Sequence, residues 1–275
     1  GKPYKAIYLQ ISRPMNRTKQ KNQILNKERG IVMTETEGMT SKQKLAYYQD
    51  KLYQDAMNAR SKGELVCWSS SIAPSEFCEV IGIHMIYPEN HAAAVGAKHG
   101  ALDMIEIAER KGYSLDICSY ARINLAYMDL LVEQAKTGVT PEALENCPAP
   151  KIPLPDVIIT CNNICNTLLK WYENIAVELN IPYIIIDVPY VHTWPIPEYT
   201  KTYIVDQFDY AIKQLEELTG KKFDYDKFVE VQKQVQRSVH EWDRAMGMAA
   251  TVPSPLNGFD MFNFMALIVC ARAKY

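Results

Sequence analysis

Between residues 64 and 187 the apolar pattern keeps switching period, and this alternation constrains the fold more than any other feature of the chain. Four short apolar runs, 64–68, 83–87, 156–160 and 182–187, have the length and bounding residues of strands. Between them lie stretches with apolar residues three and four apart. The spacing predicts helices over 74–81, closed by Gly82, and over 92–110, closed by Gly112. It predicts two more over 119–135, with Ile123, Tyr127, Leu130 and Leu131 on one side, and over 163–179. Residues 138–155 hold five prolines and read as a loop. Strands alternating with helices imply βαβ units, hence an α/β fold with a parallel Rossmann-like sheet and flanking helices.

The flanking regions differ. Residues 1–39 are polar, basic and poorly patterned, with methionines at Met33 and Met39, and read as a poorly ordered leader. A helix is expected from Thr40, which can form a capping box with Gln43. Leu45, Tyr48, Leu52, Ala56 and Ala59 mark its face and Gly63 its end. After Pro197 the pattern turns all-helical, with helices over 198–219 and 224–248 and a Pro-rich turn at 252–258. A last helix, still apolar at Cys270, is expected to run to the chain end. The expected domains are thus a leader (1–39), an N-terminal helix (40–63), an α/β binding domain (64–197) and a helical segment (198–275).

A net charge of -2 with no basic stripe argues against nucleic acid as a partner. The longest apolar run, 181–188, is too short to span a bilayer and contains Pro182 and Asp187. The first forty residues have no apolar signal core, so a cytoplasmic protein without membrane attachment is expected. Seven cysteines at irregular spacing do not form a disulfide scaffold.

In open parallel sheets ligands bind beyond the carboxyl ends of the strands. The first strand runs into Ser69, Ser70 and Ser71, the second into Glu89 and His91, and the third into Cys161, Asn162, Asn163 and Cys165. That convergence places a site at this edge without naming its reaction. The serines can bind a substrate or a phosphate at a helix N-terminus, or simply cap a turn. Glu89 can serve as a general acid or base, or be a solvated loop residue. His91 and His99 are equally ambiguous, and His84, inside a strand, reads as structural. Cys67, Cys78 and Cys270 read as small buried apolar residues and Cys147 has no evident role. Cys118, Cys161 and Cys165 lie at loop or strand-end positions, where thiolates can ligate a metal. Their spacing matches no zinc ribbon or ferredoxin pattern, so a metal site and free thiols both remain open. No phosphate-binding glycine motif is present.

The segments WSSS (68–71), YPENHAA (87–93), DICSYAR (116–122), CNNICN (161–166), KWYEN (170–174) and SPLNGFDMFN (254–263) occur in one order. In this order they resemble the α subunits of 2-hydroxyacyl-CoA dehydratases, with benzoyl-CoA reductase core subunits as distant relatives. The resemblance runs from about residue 39 to 275. ELVCWSSSIAPSEFC (64–78), the insert at 137–156 and the WPIPEY region near Trp194 resemble the lactoyl-CoA branch.

The resemblance implies that Cys118 and Cys165 each bind one iron of a [4Fe-4S] cluster. A third cysteine would come from a later segment beyond this chain, so a second α/β domain is expected to be cut short and the chain alone inactive. Ser71 and Glu89 would be catalytic beside the open iron. Ser69, Ser70, His91, Asn162 and Asn163 would line the substrate site, the two asparagines shaping the cluster loop. The implied reaction is loss of water, syn or anti, from (R)-lactoyl-CoA to acryloyl-CoA through a ketyl radical after one-electron activation. Implied partners are a homologous β subunit, an ATP-dependent [4Fe-4S] activator and a CoA-thioester substrate; a flavin is compatible. Rival expectations are another 2-hydroxyacyl-CoA substrate, a benzoyl-CoA reductase-type subunit, a non-catalytic iron–sulfur carrier and a thiol hydrolase using Cys165.

Overall fold

The computed structural model describes residues 36–274. The expected leader lies, up to residue 35, outside the described residues. Four parallel strands, β1 (Val66–Ser69), β2 (His84–Ile86), β3 (Val157–Cys161) and β4 (Tyr183–Ile186), form one sheet in the order β2-β1-β3-β4. Around it lie α1 (Ser41–Ala59), α2 (Glu76–Ile81), α3 (Pro88–Ala97), α4 (Ala101–Arg110), α5 (Ser119–Thr137) and the short α6 (Glu142–Glu145). The remaining helices are α7 (Asn166–Leu179), α8 (Glu198–Thr219), α9 (Tyr225–Met248) and α10 (Gly258–Cys270). The expected α/β class and its parallel Rossmann-like sheet are what the chain adopts.

The sheet is buried on both faces, which is why its strands read as continuous apolar runs. Successive side chains on a strand point to opposite faces. Val66, Trp68 and Ile158 therefore enter one core with α3, α4, α5 and α7. Cys67, Val157, Ile159 and Ile184 enter the other, with α2, α8, α9 and Cys270 of α10. Helix α1 packs beside β2 and contributes to both cores, Tyr53 to one and Leu52 to the other. Its start is set by the expected capping box, with Gln43 N–H donating to Thr40 Oγ1 at 3.3 Å and Thr40 N–H to Gln43 Oε1 at 2.8 Å. Trp68, fully buried in β1, donates its indole N–H to Pro153 O at 3.0 Å and so anchors the proline-rich loop to the sheet. Burial of such a side chain contributes roughly 2–3 kcal/mol.

Three expectations need correction. The helix expected over 92–110 is two helices, α3 and α4. They are separated at Lys98, His99 and Gly100, where His99 takes φ 64 and the Gly100 backbone lies against the ring of Pro148. A Cβ at Gly100 would come within 2.6 Å of Pro148 Cδ, so the tight passage of the proline-rich loop breaks the helix here. The loop over 138–155 contains the single turn α6. The last helix ends at Cys270 and gives way to a turn over residues 271–274.

Candidate active site

From β1 the chain moves to β2 on one side, and β3 then enters on the other side of β1. The order therefore reverses between β1 and β3, and the crevice beyond their carboxyl ends is where such sheets bind ligands. Ser70 N–H donates to Ile159 O at 3.1 Å, extending the β1–β3 ladder one rung past β1. Ser70 Oγ lies 3.9 Å from Cys161 Sγ, and both residues are buried. Ser69 is also buried, its hydroxyl donating to Ser70 O at 3.1 Å. Ser69 and Ser70, two of the residues expected to meet substrate, therefore build the floor of the crevice.

Ser71 is the first half-buried residue past that floor, and it meets Glu89 from the second strand end. Its backbone N–H and its hydroxyl both donate to Glu89 Oε2, each at 2.9 Å. Pro88 opens α3, where its lack of an N–H costs nothing, and this sets Glu89 in the first helical turn. A carboxylate there meets the positive end of the helix dipole. With Oε2 fixed by two donors, Oε1 takes no part in the pair. An anchored carboxylate with one oxygen to spare is suited to proton transfer.

Cys118 and Cys165 are exposed and occupy equivalent places, as N-cap residues of α5 and α7. Six residues into each helix, Trp171 Nε1 donates to Asn124 Oδ1 at 2.8 Å. Further along, Glu178 lies against Asp129; burial first, then the Asp129 charge, raises the Glu178 carboxyl above its usual range. Contacts that advance along both helices together mean that α5 and α7 run parallel. Cys118 and Cys165 therefore cap the same end of one helix pair, each about 9 Å above the Asn124–Trp171 bond at 1.5 Å per residue. Among the described residues no group of three or more His, Cys, Asp or Glu side chains could hold a metal ion, so the two thiols are not part of a complete ligand set there.

The remaining expected site residues separate. Asn162 donates to Asp187 Oδ1 and accepts from Val188 N–H at 2.6 Å, tying the loop after β3 to the end of β4. Asn163 is exposed beside it. His91 is fully buried, its Nε2 2.9 Å from Pro150 O and its ring edge-on to Tyr127. Burial lowers its pKa to about 4. Its imidazole belongs to the core beneath α3 and does not join Ser71 and Glu89 at the crevice. His84 pairs with Glu64 at 2.7 Å, in keeping with its structural reading. Cys67, Cys78 and Cys270 are buried, as expected, and Cys161 is buried with them.

The family described as 2-hydroxyglutaryl-CoA dehydratase, D-component, matches residues 70–274. The chain belongs to this family. It is 62% identical over 241 residues to the lactoyl-CoA dehydratase subunit alpha of Anaerotignum propionicum, covering 88% of this chain and 57% of that protein. It is 47% identical to the (R)-phenyllactyl-CoA dehydratase alpha subunit of Clostridium sporogenes over 79% of this chain and 50% of that protein. Against the (R)-2-hydroxyisocaproyl-CoA dehydratase alpha subunit of Clostridioides difficile the identity is 46%, over 81% of this chain and 51% of that protein. The chain thus spans little more than half the length of the curated relatives it matches.

Membership in the 2-hydroxyglutaryl-CoA dehydratase family agrees with the segments that carried the resemblance, and four of those six segments sit at strand ends or helix starts of the α/β unit. WSSS ends β1, YPENHAA opens α3, DICSYAR opens α5, and CNNICN joins β3 to α7. KWYEN lies inside α7, away from the strand ends, and its Trp171 and Tyr172 were given no role from sequence. Both are buried; Trp171 bonds Asn124 on α5, and Tyr172 bonds Ser69 O at the end of β1. Two adjacent aromatic residues in a polar stretch of helix were the available signal. No helix among the described residues is long and apolar enough to cross a membrane.

Proposed function

We propose that this chain is part of the α subunit of a 2-hydroxyacyl-CoA dehydratase that removes water from (R)-lactoyl-CoA to give acryloyl-CoA. The observation that carries the reading is the anchored Ser71–Glu89 pair at the β1–β3 crevice, in a chain 62% identical to a lactoyl-CoA dehydratase subunit. The relatives' names, as alpha subunits, support a homologous β subunit as partner. The reaction also calls for an ATP-dependent activator that delivers one electron.

The donor chemistry of Cys118 and Cys165 fits a [4Fe-4S] cluster in part. Two exposed thiols cap one end of a parallel helix pair, and soft thiolates suit iron–sulfur binding. A third thiolate would come from outside the described residues. Such a cluster, held by Cys118 and Cys165 with a third thiolate, would supply one-electron reduction of the thioester. The protein's part is to bind, orient and move protons. The β-hydrogen of a 2-hydroxyacyl thioester is not acidic, so a base alone is insufficient. Ser71 would turn its hydroxyl from Glu89 to donate a hydrogen bond near the departing α-hydroxyl, while its backbone N–H keeps Glu89 Oε2 in place. Glu89 would protonate that hydroxyl as it leaves, or take the β-proton; over the whole reaction the two protons and the oxygen leave as one water.

The test is anaerobic purification of the full-length protein with its partner subunit and activator. It is then assayed for dehydration of lactoyl-, phenyllactyl-, 2-hydroxyisocaproyl- and 2-hydroxyglutaryl-CoA. Preferential turnover of lactoyl-CoA supports the proposal; turnover of none, or reduction of an aromatic acyl-CoA instead, overturns it. Glu89→Gln is expected to lose turnover, and unchanged turnover removes Glu89 from the mechanism.

A further inference from the structure

We propose that Asp187 is the positioning residue for Cys165, its carboxylate clamping the loop that leads from β3 to that thiol. This inference rests on the reading of Cys165 as an iron ligand. The last paired residues of β3 and β4 are Cys161 and Ile186. The next residue of each strand is polar, Asn162 and Asp187, and the register sets the two side by side. Asn162 N–H donates to Ile186 O at 3.2 Å, carrying the ladder one rung further. Its side-chain amide donates to Asp187 Oδ1 and accepts from Val188 N–H at 2.6 Å. The second oxygen, Asp187 Oδ2, accepts from the hydroxyl of Tyr203 on α8 at 2.5 Å.

The polarity of these groups makes the arrangement specific. A backbone N–H only donates and a carboxylate only accepts, so the Asn162 amide has one orientation that satisfies both. The two oxygens of Asp187 divide the work: one holds the loop, and the other is held by α8. The bond to Asp187 pushes the Tyr203 phenol above its ordinary range, so the phenol stays a donor at working pH. A carboxylate gripped on both oxygens cannot turn away from Asn162 without breaking a bond.

Cys165 follows Asn162 by three residues. Asn163, Ile164 and Cys165 are all exposed, and Cys165 makes no side-chain capping bond to the helix it opens. The direction in which the loop leaves the sheet therefore sets where the sulfur stands relative to Cys118. Three residues span at most about 10 Å, so releasing the start of the loop moves the sulfur by ångströms. Metal–ligand distances tolerate only about 0.2 Å. Outer groups that orient metal ligands commonly change metal affinity by about 10–100-fold when removed.

The test uses the full-length protein with its partner subunit and activator, purified anaerobically with its iron. Asp187→Ala opens the clamp. Asp187→Asn keeps an acceptor for Asn162 and offers its own amide to the Tyr203 hydroxyl. Iron release to a ferrous-iron chelator is followed well below the Tm of each variant. It is expected to be about tenfold faster in Asp187→Ala and within about threefold of wild type in Asp187→Asn. A lower Tm in Asp187→Ala with wild-type iron release would mean a merely structural role and overturn the proposal. Equal acceleration in both variants would mean that the charge matters and the clamp does not, and overturns it too. If Cys165→Ala keeps its iron, the ligand reading fails and the proposal with it. If Cys165→Ala loses iron while Asp187→Ala releases it at the wild-type rate, the clamp alone fails. Should Asp187→Ala not fold, hydrogen exchange on the wild-type protein decides. The Val188 amide is expected to be as protected as amides in the middle of β4; exchange at the rate of an exposed amide refutes the clamp.

Discussion

Lowering the pH from 7 to 4 is expected to remove about 3 kcal/mol of stability through one side chain, His91. Its imidazole is enclosed by Tyr127 of α5, Tyr53 of α1 and the Pro150 carbonyl, and Nδ1 has no partner in the core. Burial lowers its pKa from 6.5 to about 4, which corresponds to about 3 kcal/mol between the two protonation states. The unfolded chain takes up the proton first, so it binds more protons between those values and stability falls as the pH falls. The loss begins near pH 6.5, reaches roughly 2 kcal/mol by pH 5 and levels off below 4. Carboxylates add their own acid dependence, so the comparison is with His91→Gln, which keeps a donor for Pro150 O but does not titrate. Urea unfolding at pH 7, 6, 5 and 4 should show wild type losing about 3 kcal/mol more than the variant. Parallel stability curves for the two proteins would refute the argument that a neutral histidine is locked in this core.

Two further perturbations probe the packing that frames the site. Gly100→Ala places a methyl 2.6 Å from Pro148 Cδ and is expected to cost about 1–3 kcal/mol, read as a lower Tm; an unchanged Tm would mean that the loop gives way freely. Trp171→Phe leaves Asn124 Oδ1 without its donor between α5 and α7 and is expected to cost about 1–3 kcal/mol in urea unfolding, and a neutral effect would remove that bond from the account.

Local signals carried most of the element assignments. The Thr40–Gln43 box fixed the start of α1, and α8 runs over the residues its periodicity marked, 198–219. The strand ends were legible because parallel strands buried on both faces end abruptly in polar residues. What sequence could not give were relations between distant segments. The break between α3 and α4 depends on Pro148, nearly fifty residues away, and a helix-compatible pattern hides it. His91 was expected at the substrate because it follows the second strand end within the YPENHAA segment. In a helix, however, its offset from Glu89 turns the side chain to another face, here into Tyr127. Ser69 and Ser70 were expected at the substrate, but their place on the β1–β3 ladder buries them. Trp171 and Tyr172 had a visible pattern and no visible partners, since those partners are 47 and 103 residues away.

Iron content after anaerobic purification of the full-length protein with its partner subunit gives the most direct test. Wild type should retain a [4Fe-4S] complement, and Cys118→Ala and Cys165→Ala should each lose most of it together with lactoyl-CoA turnover. Both variants keeping wild-type iron and turnover would contradict the placement of those two sulfurs at the heart of the enzyme.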